Sequence, residues 1–302
     1  MGARMSGRMD EQELLAGRFD ANRTHLRSVA YRMLGSLSDA DDAVQEAWLR
    51  LSRSDATGVD NLSGWLTTVI SRICLDMLRS RKARNEESLD LRLPDPIVIR
   101  DDGTDPEHEA ILAESVGLAL LVVLDTLAPA ERLAFVLHDV FAMPFDEIGP
   151  IVDRTPTAAR QLANRARRRI QGAEAVPDTG LARQREVVDA FLVATRDGDF
   201  GALVAVLDPN IVLRVDTGAP PAGASRLVRG AAAVAGQALT FSAIERVVVP
   251  ALVNGSAGIV TFVAGQPFAV MSFTVRNGRI AAIDILADPG RLQRLDLSAL
   301  LD

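Results

Sequence analysis

The spacing of apolar residues changes along this chain of 302 residues, and that change restricts the folds it can adopt. Apolar residues recur every three or four positions through residues 12–85 and again from Pro106 to about Gly172, the period of amphipathic helices. Beyond Asn210 they form short β-branched runs separated by turn residues, a pattern typical of strands. The length suits two or three domains of about 100–150 residues each. The sequence therefore predicts a multidomain protein in which all-α domains precede an α+β domain.

Composition predicts where these domains begin and end. Residues 86–106 lose the helical period and contain Pro94, Pro96 and Pro106 among many acids, which predicts an exposed linker. A short break, AEAVPDTG, precedes a helix predicted from about Leu181 to Arg196. The predicted segments are a helical domain at 12–86, an acidic linker at 87–106, a second helical domain at 107–174 and an α+β domain at 182–290.

Charged residues are strongly segregated along the chain, although the net charge is only −7. Between Arg154 and Ile170 there are six arginines and no acid. Between Glu86 and Glu114 there are ten acids and two arginines. This segregation favours a basic surface that binds nucleic acid and an acidic connector that does not.

Several functional classes are disfavoured by the composition. No apolar stretch approaches the ~20 residues that cross a bilayer, and no signal-peptide segment is visible, so we expect a cytoplasmic protein without membrane contact. The single cysteine, Cys74, excludes an internal disulfide, and three scattered histidines lack metal-ligand spacing. We therefore expect neither a metal nor a cofactor. The apolar neighbours of Cys74 predict that it is a small buried residue.

Two helices of the first domain have surfaces suited to binding. One is predicted to begin at Ser38, which forms a capping-box-like pair with Asp41, and it places Asp42 and Glu46 four residues apart on one stripe. A solvated face is the alternative explanation of that stripe. The other helix, from about Ser63 to Arg84, ends in a cationic cluster, which the helix dipole also favours. The cationic residues of that helix are Arg72, Arg79, Arg81, Lys82 and Arg84.

Residues 124–170 have the composition of a helix-turn-helix. Thr155 is a favourable N-cap and Pro156 occupies the first helical position, where proline is best tolerated. Gly149-Pro150 should shorten or bend the preceding helix. Arginines and amides then predict a DNA-contacting face, with base contacts near its start and phosphate contacts beyond. The residues of this face are Thr157, Arg160, Gln161, Asn164, Arg165 and Arg168, of which Arg160, Gln161 and Asn164 are the base-contacting candidates.

The α+β domain is predicted to contain a curved antiparallel sheet. Asn277-Gly278 between two apolar runs indicates a type I′ hairpin. Asp216 and Asp284 could face a pocket in this sheet, and Arg214 should share a face with Asp216. The predicted strands are Ile211 to Val215, Ile244 to Val249, Gly258 to Val263, Ala269 to Val275 and Ile280 to Leu286.

Three segments resemble parts of one known family. YRMLGSLSDADDAVQEAWLRL and LSGWLTTVISRICLDMLRSRKAR resemble regions 2.1 to 2.4 of extracytoplasmic-function (ECF) RNA polymerase sigma factors, and residues 124–170 resemble region 4. Residues 182–290 resemble a SnoaL-like cone of the NTF2 type. The combination is similar to the SigJ-type, or ECF41-like, group. Where that group has an Asn-Pro-Asp-Lys-like motif, this chain has Ala287-Asp288-Pro289-Gly290-Arg291.

The resemblance implies core RNA polymerase and promoter DNA as partners. It implies polymerase binding by one helix, through Asp41, Asp42, Gln45, Glu46 and Trp48, although Trp48 also fits the core. It implies −10 contacts by Arg72, Arg79, Arg81, Lys82 and Arg84, and −35 contacts by the helix-turn-helix face. It implies a regulatory contact that involves Pro94, Asp95, Pro96, Asp288 and Pro289.

Other functions remain open at this point. The α+β domain could act by protein contact, bind a small-molecule ligand or catalyse a reaction, although it contains no histidine, tyrosine or cysteine to serve as acid or base. We expect no enzyme activity. The whole chain could instead be a one-component, ligand-responsive helix-turn-helix regulator. That alternative leaves the acidic helix and the first basic helix without a function.

Overall fold

The computed structural model describes residues 2–54, 61–84, 92–100, 117–172, 180–218, 225–242, 245–295, 297 and 300. Contacts divide the chain into two compact units. The helical unit contains Met1–Glu87 and Leu127–Arg168, and the sheet unit contains Ser88–Thr126 and Arg169–Asp302. The described part of the predicted linker, residues 92–100, therefore belongs to the same unit as the C-terminal domain. Among the described helices, none is both long and apolar enough to span a membrane.

Helices and strands follow the predicted change of pattern along the chain. The helices are α1 (Gly2–Leu34), α2 (Leu37–Arg53), α3 (Leu62–Arg84), α4 (Leu118–Asp125), α5 (Pro129–Phe135), α6 (Phe145–Ile151), α7 (Pro156–Gly172), α8 (Leu181–Asp197), α9 (Phe200–Val206), α10 (Ala231–Ser242) and α11 (Pro289–Leu292). The strands are β1 (Val98–Arg100), β2 (Leu207–Asp216), β3 (Arg226–Arg229), β4 (Val247–Val253), β5 (Ser256–Val263), β6 (Gln266–Arg276) and β7 (Arg279–Leu286).

The first three helices pack around an apolar core. Leu26, Met33, Leu51, Leu66 and Ile70 are all fully buried there. The predicted start of α2 is wrong by two residues. Ser36, not Ser38, is its N-cap, and the Ser36 hydroxyl accepts a hydrogen bond from the Asp39 amide.

Helices α5, α6 and α7 form the helix-turn-helix part of the helical unit. The small residues Ala159, Ala163 and Ala166 of α7 are fully buried, as their spacing predicts. Helix α6 is only seven residues long and has Pro150 inside it, which confirms the predicted short helix. The turn also requires Gly149, because a Cβ there would lie 2.8 Å from the Arg154 carbonyl oxygen.

One buried arginine joins the two helical segments of this unit. Arg132 of α5 is 2% exposed, and its Nε donates a hydrogen bond to the Arg32 carbonyl of α1 at 3.2 Å. The Arg32 guanidinium in turn lies 4.7 Å from the centre of the Phe141 ring. Such polar contacts in a desolvated position fix the packing of α5 against α1.

The sheet unit contains one sheet with the strand order β1-β4-β5-β6-β7-β2-β3. Its neighbouring strands are antiparallel except β2 and β7, which are parallel. The predicted type I′ turn is confirmed, because φ is +50° at Asn277 and +70° at Gly278. Helices α8 and α10 pack on one face of the sheet and bury Phe191, Val234 and Phe273 with it.

The predicted exposure of the linker is wrong over its described part, residues 92–100. Leu93, Pro94, Pro96 and Ile99 are buried. Strand β1 pairs antiparallel with β4, where Val98 lies opposite Val253. A sequence rich in acids and prolines thus forms part of the sheet, because its alternate apolar residues meet the core.

Candidate functional sites

The predicted polymerase-binding residues lie on one side of α2. Asp41, Asp42 and Gln45 are exposed, and Glu46 is half-buried. Asp41 pairs with Arg27 of α1 at 2.6 Å, and Glu46 pairs with Arg50 one turn further along α2 at 2.9 Å. These pairs are exposed to solvent, so they hold the carboxylates only weakly. The result is an acidic helix surface available to a basic partner.

Trp48 lies at the edge of this surface. It is half-buried, and its ring centre is 5.1 Å from that of Phe19 in α1. An aromatic pair of this kind stabilises the packing of α1 against α2. Trp48 therefore supports the fold with one part of its ring and leaves the other part accessible.

The basic residues of α3 have different surroundings. Arg79 and Lys82 are exposed, and Arg79 lies 3.8 Å from Asp76. Arg81 instead pairs with Asp39 and donates to the Leu34 carbonyl at 3.0 Å, which fastens α3 to the turn before α2. Arg72 is exposed and donates to the Pro150 carbonyl at 3.3 Å. Arg84 is in the last turn of α3, but its side chain is outside the described part of the chain.

The predicted DNA-contacting face of α7 is solvent-exposed. All six of its residues are exposed: Thr157, Arg160, Gln161, Asn164, Arg165 and Arg168. The helix begins at the predicted cap, since the Thr155 hydroxyl accepts from the Ala158 amide at 3.2 Å. Arg160 lies over the Phe145 ring, 5.3 Å from its centre, at the N-terminal end of this face.

Neighbouring acids pair with arginines at the other end of α7. Arg165 pairs with Glu131 of α5 at 2.8 Å, and Arg167 pairs with Asp139 at 2.7 Å. Arg168 is exposed, and its Nε donates to the Asn164 carbonyl one turn back at 3.4 Å. Arg168 thus keeps most of its guanidinium accessible to a phosphate.

A buried ionic cluster joins the predicted linker to the C-terminal end of the sheet unit. Arg291 is 5% exposed and pairs with Asp216 at 2.6 Å and with Asp95 at 2.5 Å. It also donates to the Leu93 carbonyl at 2.7 Å, while the Leu93 amide donates to Asp216 at 2.8 Å. We call these four residues, Arg291, Asp216, Asp95 and Leu93, the Arg291 cluster.

Of the predicted regulatory residues, Asp95 belongs to this cluster, Pro94 and Pro96 flank it along the chain, and Asp288 and Pro289 precede Arg291. Asp288 is the N-cap of α11, and its carboxylate accepts from the Gly290 and Arg291 amides. Pro289 occupies the first turn of that short helix, so these two residues orient Arg291. A second contact holds the same segment of the linker: the Ile97 amide donates to the Asn254 side chain at 3.0 Å, and the Asn254 backbone amide donates to the Ile97 carbonyl at 2.8 Å.

The predicted position of Asp216 and Asp284 in the pocket is wrong. A cavity of about 180 Å³ lies on the face of the sheet that presents Val215 and Ile285, so the alternate residues of these strands face the other side. There Asp284 pairs with Arg214 at 2.9 Å. Burial raises the pKa of the Asp284 carboxyl, although the Arg214 guanidinium acts in the opposite direction.

Cys74 has no reactive character. It is fully buried in α3, as predicted, and burial raises the pKa of its thiol to about 12. The thiolate that would act as a nucleophile is therefore disfavoured.

Sequence comparisons identify both helical regions. The Sigma-70 region 2 family matches residues 18–84, and the Sigma-70 region 4 family matches residues 117–170. The chain is 38% identical to the ECF RNA polymerase sigma factor SigJ of Mycobacterium tuberculosis, over 90% of this chain and 91% of that protein. This chain belongs to the ECF RNA polymerase sigma factors.

Other relatives of this ECF sigma factor support the same family assignment. The probable ECF RNA polymerase sigma factor SigI of Mycobacterium tuberculosis is 33% identical over 95% of this chain and 98% of its own. The crystal structure of Mycobacterium tuberculosis SigJ matches with a TM-score of 0.74 at 35% identity, covering 93% of this chain and 99% of that one. The predicted fold class is confirmed as two all-α sigma domains followed by an α+β domain.

Arg291 of this ECF sigma factor was not identified from the sequence as a candidate site residue. Arg291 contacts both Asp95 and Asp216, yet the predicted regulatory residues stopped at Asp288 and Pro289. A signal for it exists in the sequence, since Arg291 is the first cation after the last strand and directly follows a capped turn. Its partners are 196 and 75 residues away along the chain, so the contact itself has no local signal.

Proposed function

We propose that this protein binds core RNA polymerase, directs promoter-specific initiation of transcription and is regulated by its own C-terminal domain. The observation that supports this most strongly is the presence of both sigma regions, at residues 18–84 and 117–170, in one chain. We assign polymerase and −10 binding to residues 12–86, −35 binding to 107–174 and regulation to 182–290, with 87–106 as the linker. Such a protein acts in the cytoplasm, where the polymerase works.

The acidic surface of α2 is proposed as the polymerase-binding site. Asp41, Asp42, Gln45 and Glu46 lie on this surface, with Trp48 at its edge. Carboxylates that project from one helix complement a basic surface, because opposite potentials speed association and fix its orientation. The exposed pairs with Arg27 and Arg50 can exchange for partner cations at little cost.

Two basic helices are proposed as the promoter-binding sites. The exposed cations of α3, with Arg79 and Lys82 at their centre, suit the phosphates of a separated −10 strand. The exposed face of α7 suits the major groove at the −35 element, where residues near the start of a docked helix contact base edges. Arg81 would join the −10 contacts only by leaving Asp39, so we give it a secondary part.

The Arg291 cluster is proposed as the regulatory contact. It fixes the linker residues Leu93 and Asp95 to the C-terminal domain through charge-assisted hydrogen bonds in a buried position. Because the linker connects the two proposed DNA-binding regions, a fixed linker limits the arrangements that those regions can adopt. The C-terminal domain would then control promoter binding without a separate partner protein.

A run-off transcription assay with purified core polymerase tests the main proposal. Initiation from a matched promoter should depend on addition of this protein, because only a sigma factor gives core polymerase promoter specificity. A helix-turn-helix regulator would change transcription only when another sigma factor is already present. Core polymerase that stays inactive with this protein, at every promoter carrying candidate −10 and −35 elements, would contradict the proposal.

The two ends of the α7 face should behave differently when truncated. Arg160→Ala should relax preference at one or two −35 positions and cost about 1–3 kcal/mol at the matched base, because this residue faces base edges. Arg168→Ala should weaken binding to all sequences alike and lower the slope of log affinity against log salt by about 1. The measurement is holoenzyme binding to promoter fragments with single base changes at several salt concentrations. Sequence preference held by Arg168 instead would show that the docked helix is rotated.

A further inference from the structure

The cavity in the sheet unit has an almost wholly apolar wall. It lies between α8, α10 and the sheet, and Phe191, Met271, Ile283 and Ile285 contribute to it. Its volume is about 180 Å³. An apolar cavity of roughly 150 Å³ holds one benzene molecule, so this one has room for a single aromatic ring with small substituents.

The hydroxyl of Thr217 is a polar group in this wall that the fold does not satisfy. It is buried and has no hydrogen-bond partner among the described residues. Two other threonines of the wall differ, since Thr195 donates to the Phe191 carbonyl at 2.8 Å and Thr261 donates to the Ala269 carbonyl at 3.3 Å. A buried hydroxyl without a partner costs free energy. A ligand oxygen that accepts its hydrogen bond would remove that cost.

Arg246 is the only charged side chain among the described residues that line the cavity. It is half-buried, and although burial lowers its pKa, a guanidinium stays charged in proteins and can pair with an anion in the cavity. The described lining contains no carboxylate, histidine, tyrosine or cysteine. The wall can therefore hold an apolar anion, but it lacks the acid and base groups that would transform one.

We propose that this cavity binds a small apolar carboxylate the size of one substituted aromatic ring. The ring fills the apolar wall, the carboxylate faces Arg246, and a ligand oxygen accepts the hydrogen bond of Thr217. An apolar pocket with a few placed polar groups is the usual form of a small-molecule site. The volume of about 180 Å³ suits a ligand of one ring.

The position of the cavity also gives its ligand a route to the linker, and this part rests on the proposed regulatory role of the Arg291 cluster. Thr217 and Ala287 line the cavity, and each is next in the chain to a residue that holds Arg291, since Asp216 pairs with Arg291 and Asp288 caps its helix. The Ala287 amide donates to the Asp216 carbonyl at 2.7 Å, so these two chain segments are joined. A ligand against this wall therefore acts on the residues that hold Arg291.

The site is tested by calorimetric titration of the full-length protein with 4-ethylbenzoate and its uncharged analogue, 4-ethylbenzamide. The carboxylate should bind at least roughly tenfold more tightly than the amide, and Arg246→Gln should remove that difference. Ala238→Phe, which fills the cavity, should abolish binding of both compounds. Thr217→Val keeps the shape of the side chain and should weaken binding about threefold or more.

Arg229→Gln is the matched control, because Arg229 is exposed on β3 and is not part of the cavity wall. It should bind both compounds like the unaltered protein. Equal affinity for the acid and the amide would overturn the proposal, as would no binding up to about 1 mM by the folded protein. Unchanged binding by both Arg246→Gln and Thr217→Val would overturn it too.

The coupling to the linker has its own readout. Ligand binding and linker docking are reciprocal if the ligand acts on the Arg291 cluster. A ligand that shifts the docking equilibrium of the linker by some factor must then bind with an affinity changed by that factor when Arg291→Gln releases the linker. A shift of roughly fivefold or more is expected. Equal affinity in both proteins would overturn the coupling while the binding site stands. The transcription assay separately decides whether the cluster regulates initiation.

Discussion

Exchanging Asp42 and Glu46 for lysine is expected to abolish co-purification with core RNA polymerase and to leave the helical unit folded. Asp42 is exposed and has no ion pair among the described residues, and the Glu46 pair with Arg50 is solvent-exposed. Losing them should change the free energy of unfolding by less than about 1 kcal/mol. At a basic partner surface, however, two cations in place of two carboxylates create like-charge contacts that cost several kcal/mol. The measurement is co-purification with tagged core polymerase, with thermal unfolding in parallel.

A matched control has the same charge change on a different helix. Glu186 and Asp189 are exposed acids one turn apart on α8, in the sheet unit. Exchanging both for lysine should leave co-purification intact, which separates the position of the charges from the net charge. Retention of the polymerase by the Asp42 and Glu46 variant, when that variant is folded, would show that another surface makes the contact.

Features with a strong local signal could be predicted from the sequence. The hairpin at Asn277-Gly278 is one, because its two residues favour the positive φ values that a type I′ turn needs. The buried alanines of α7 are another, because their spacing matches one side of a helix. The exposed face of α7 follows from the same spacing. Helical spacing alone is therefore enough to predict that the candidate site residues of α7 lie at the surface.

Some elements of the sheet unit have too weak a local signal. Helix α10 (Ala231–Ser242) was not predicted, because its run of small and apolar residues has little contrast between its two sides. Strand β3 has only four residues, Arg226–Arg229, and three of them are exposed. Strand β1 has three residues within an acidic, proline-containing segment. Each of these elements is formed because a neighbouring strand or the core is present, and the chain nearby does not specify it.

The sequence also does not predict which side of the sheet carries the cavity. Alternation shows that Arg214 and Asp216 share a face, and this is correct, since Arg214 pairs with Asp284 and Asp216 with Arg291 on the side away from the cavity. Which face carries the cavity depends on where α8 and α10 pack, and the strand sequence does not contain that information. The two carboxylates therefore belong to ion pairs and not to a pocket.

Replacing Arg291 with glutamine is expected to release the linker from the sheet unit. Arg291 is 5% exposed, and its partner Asp216 is 2% exposed. Removing one member of a buried ion pair leaves the other charge without compensation, at a cost of about 3–5 kcal/mol. The Leu93 amide, which donates to Asp216, should then exchange its hydrogen much faster. Hydrogen exchange at Leu93 and Ile97 measures the release directly, and transcription from one promoter at equal core-bound concentration measures its effect.

Two further variants decide whether the charge pair itself is responsible. Arg294 is exposed two residues beyond α11, so Arg294→Gln should leave exchange at Leu93 and promoter output unchanged. Adding Asp216→Asn to Arg291→Gln removes the uncompensated charge, so the double variant should recover part of the lost stability and differ from the sum of the single changes. Fast exchange at Leu93 without any change in transcription would show that the cluster stabilises the domain and does not regulate the sigma factor. Slow exchange at Leu93 in Arg291→Gln would show that β1 and the Asn254 contacts with Ile97 hold the linker without the cluster.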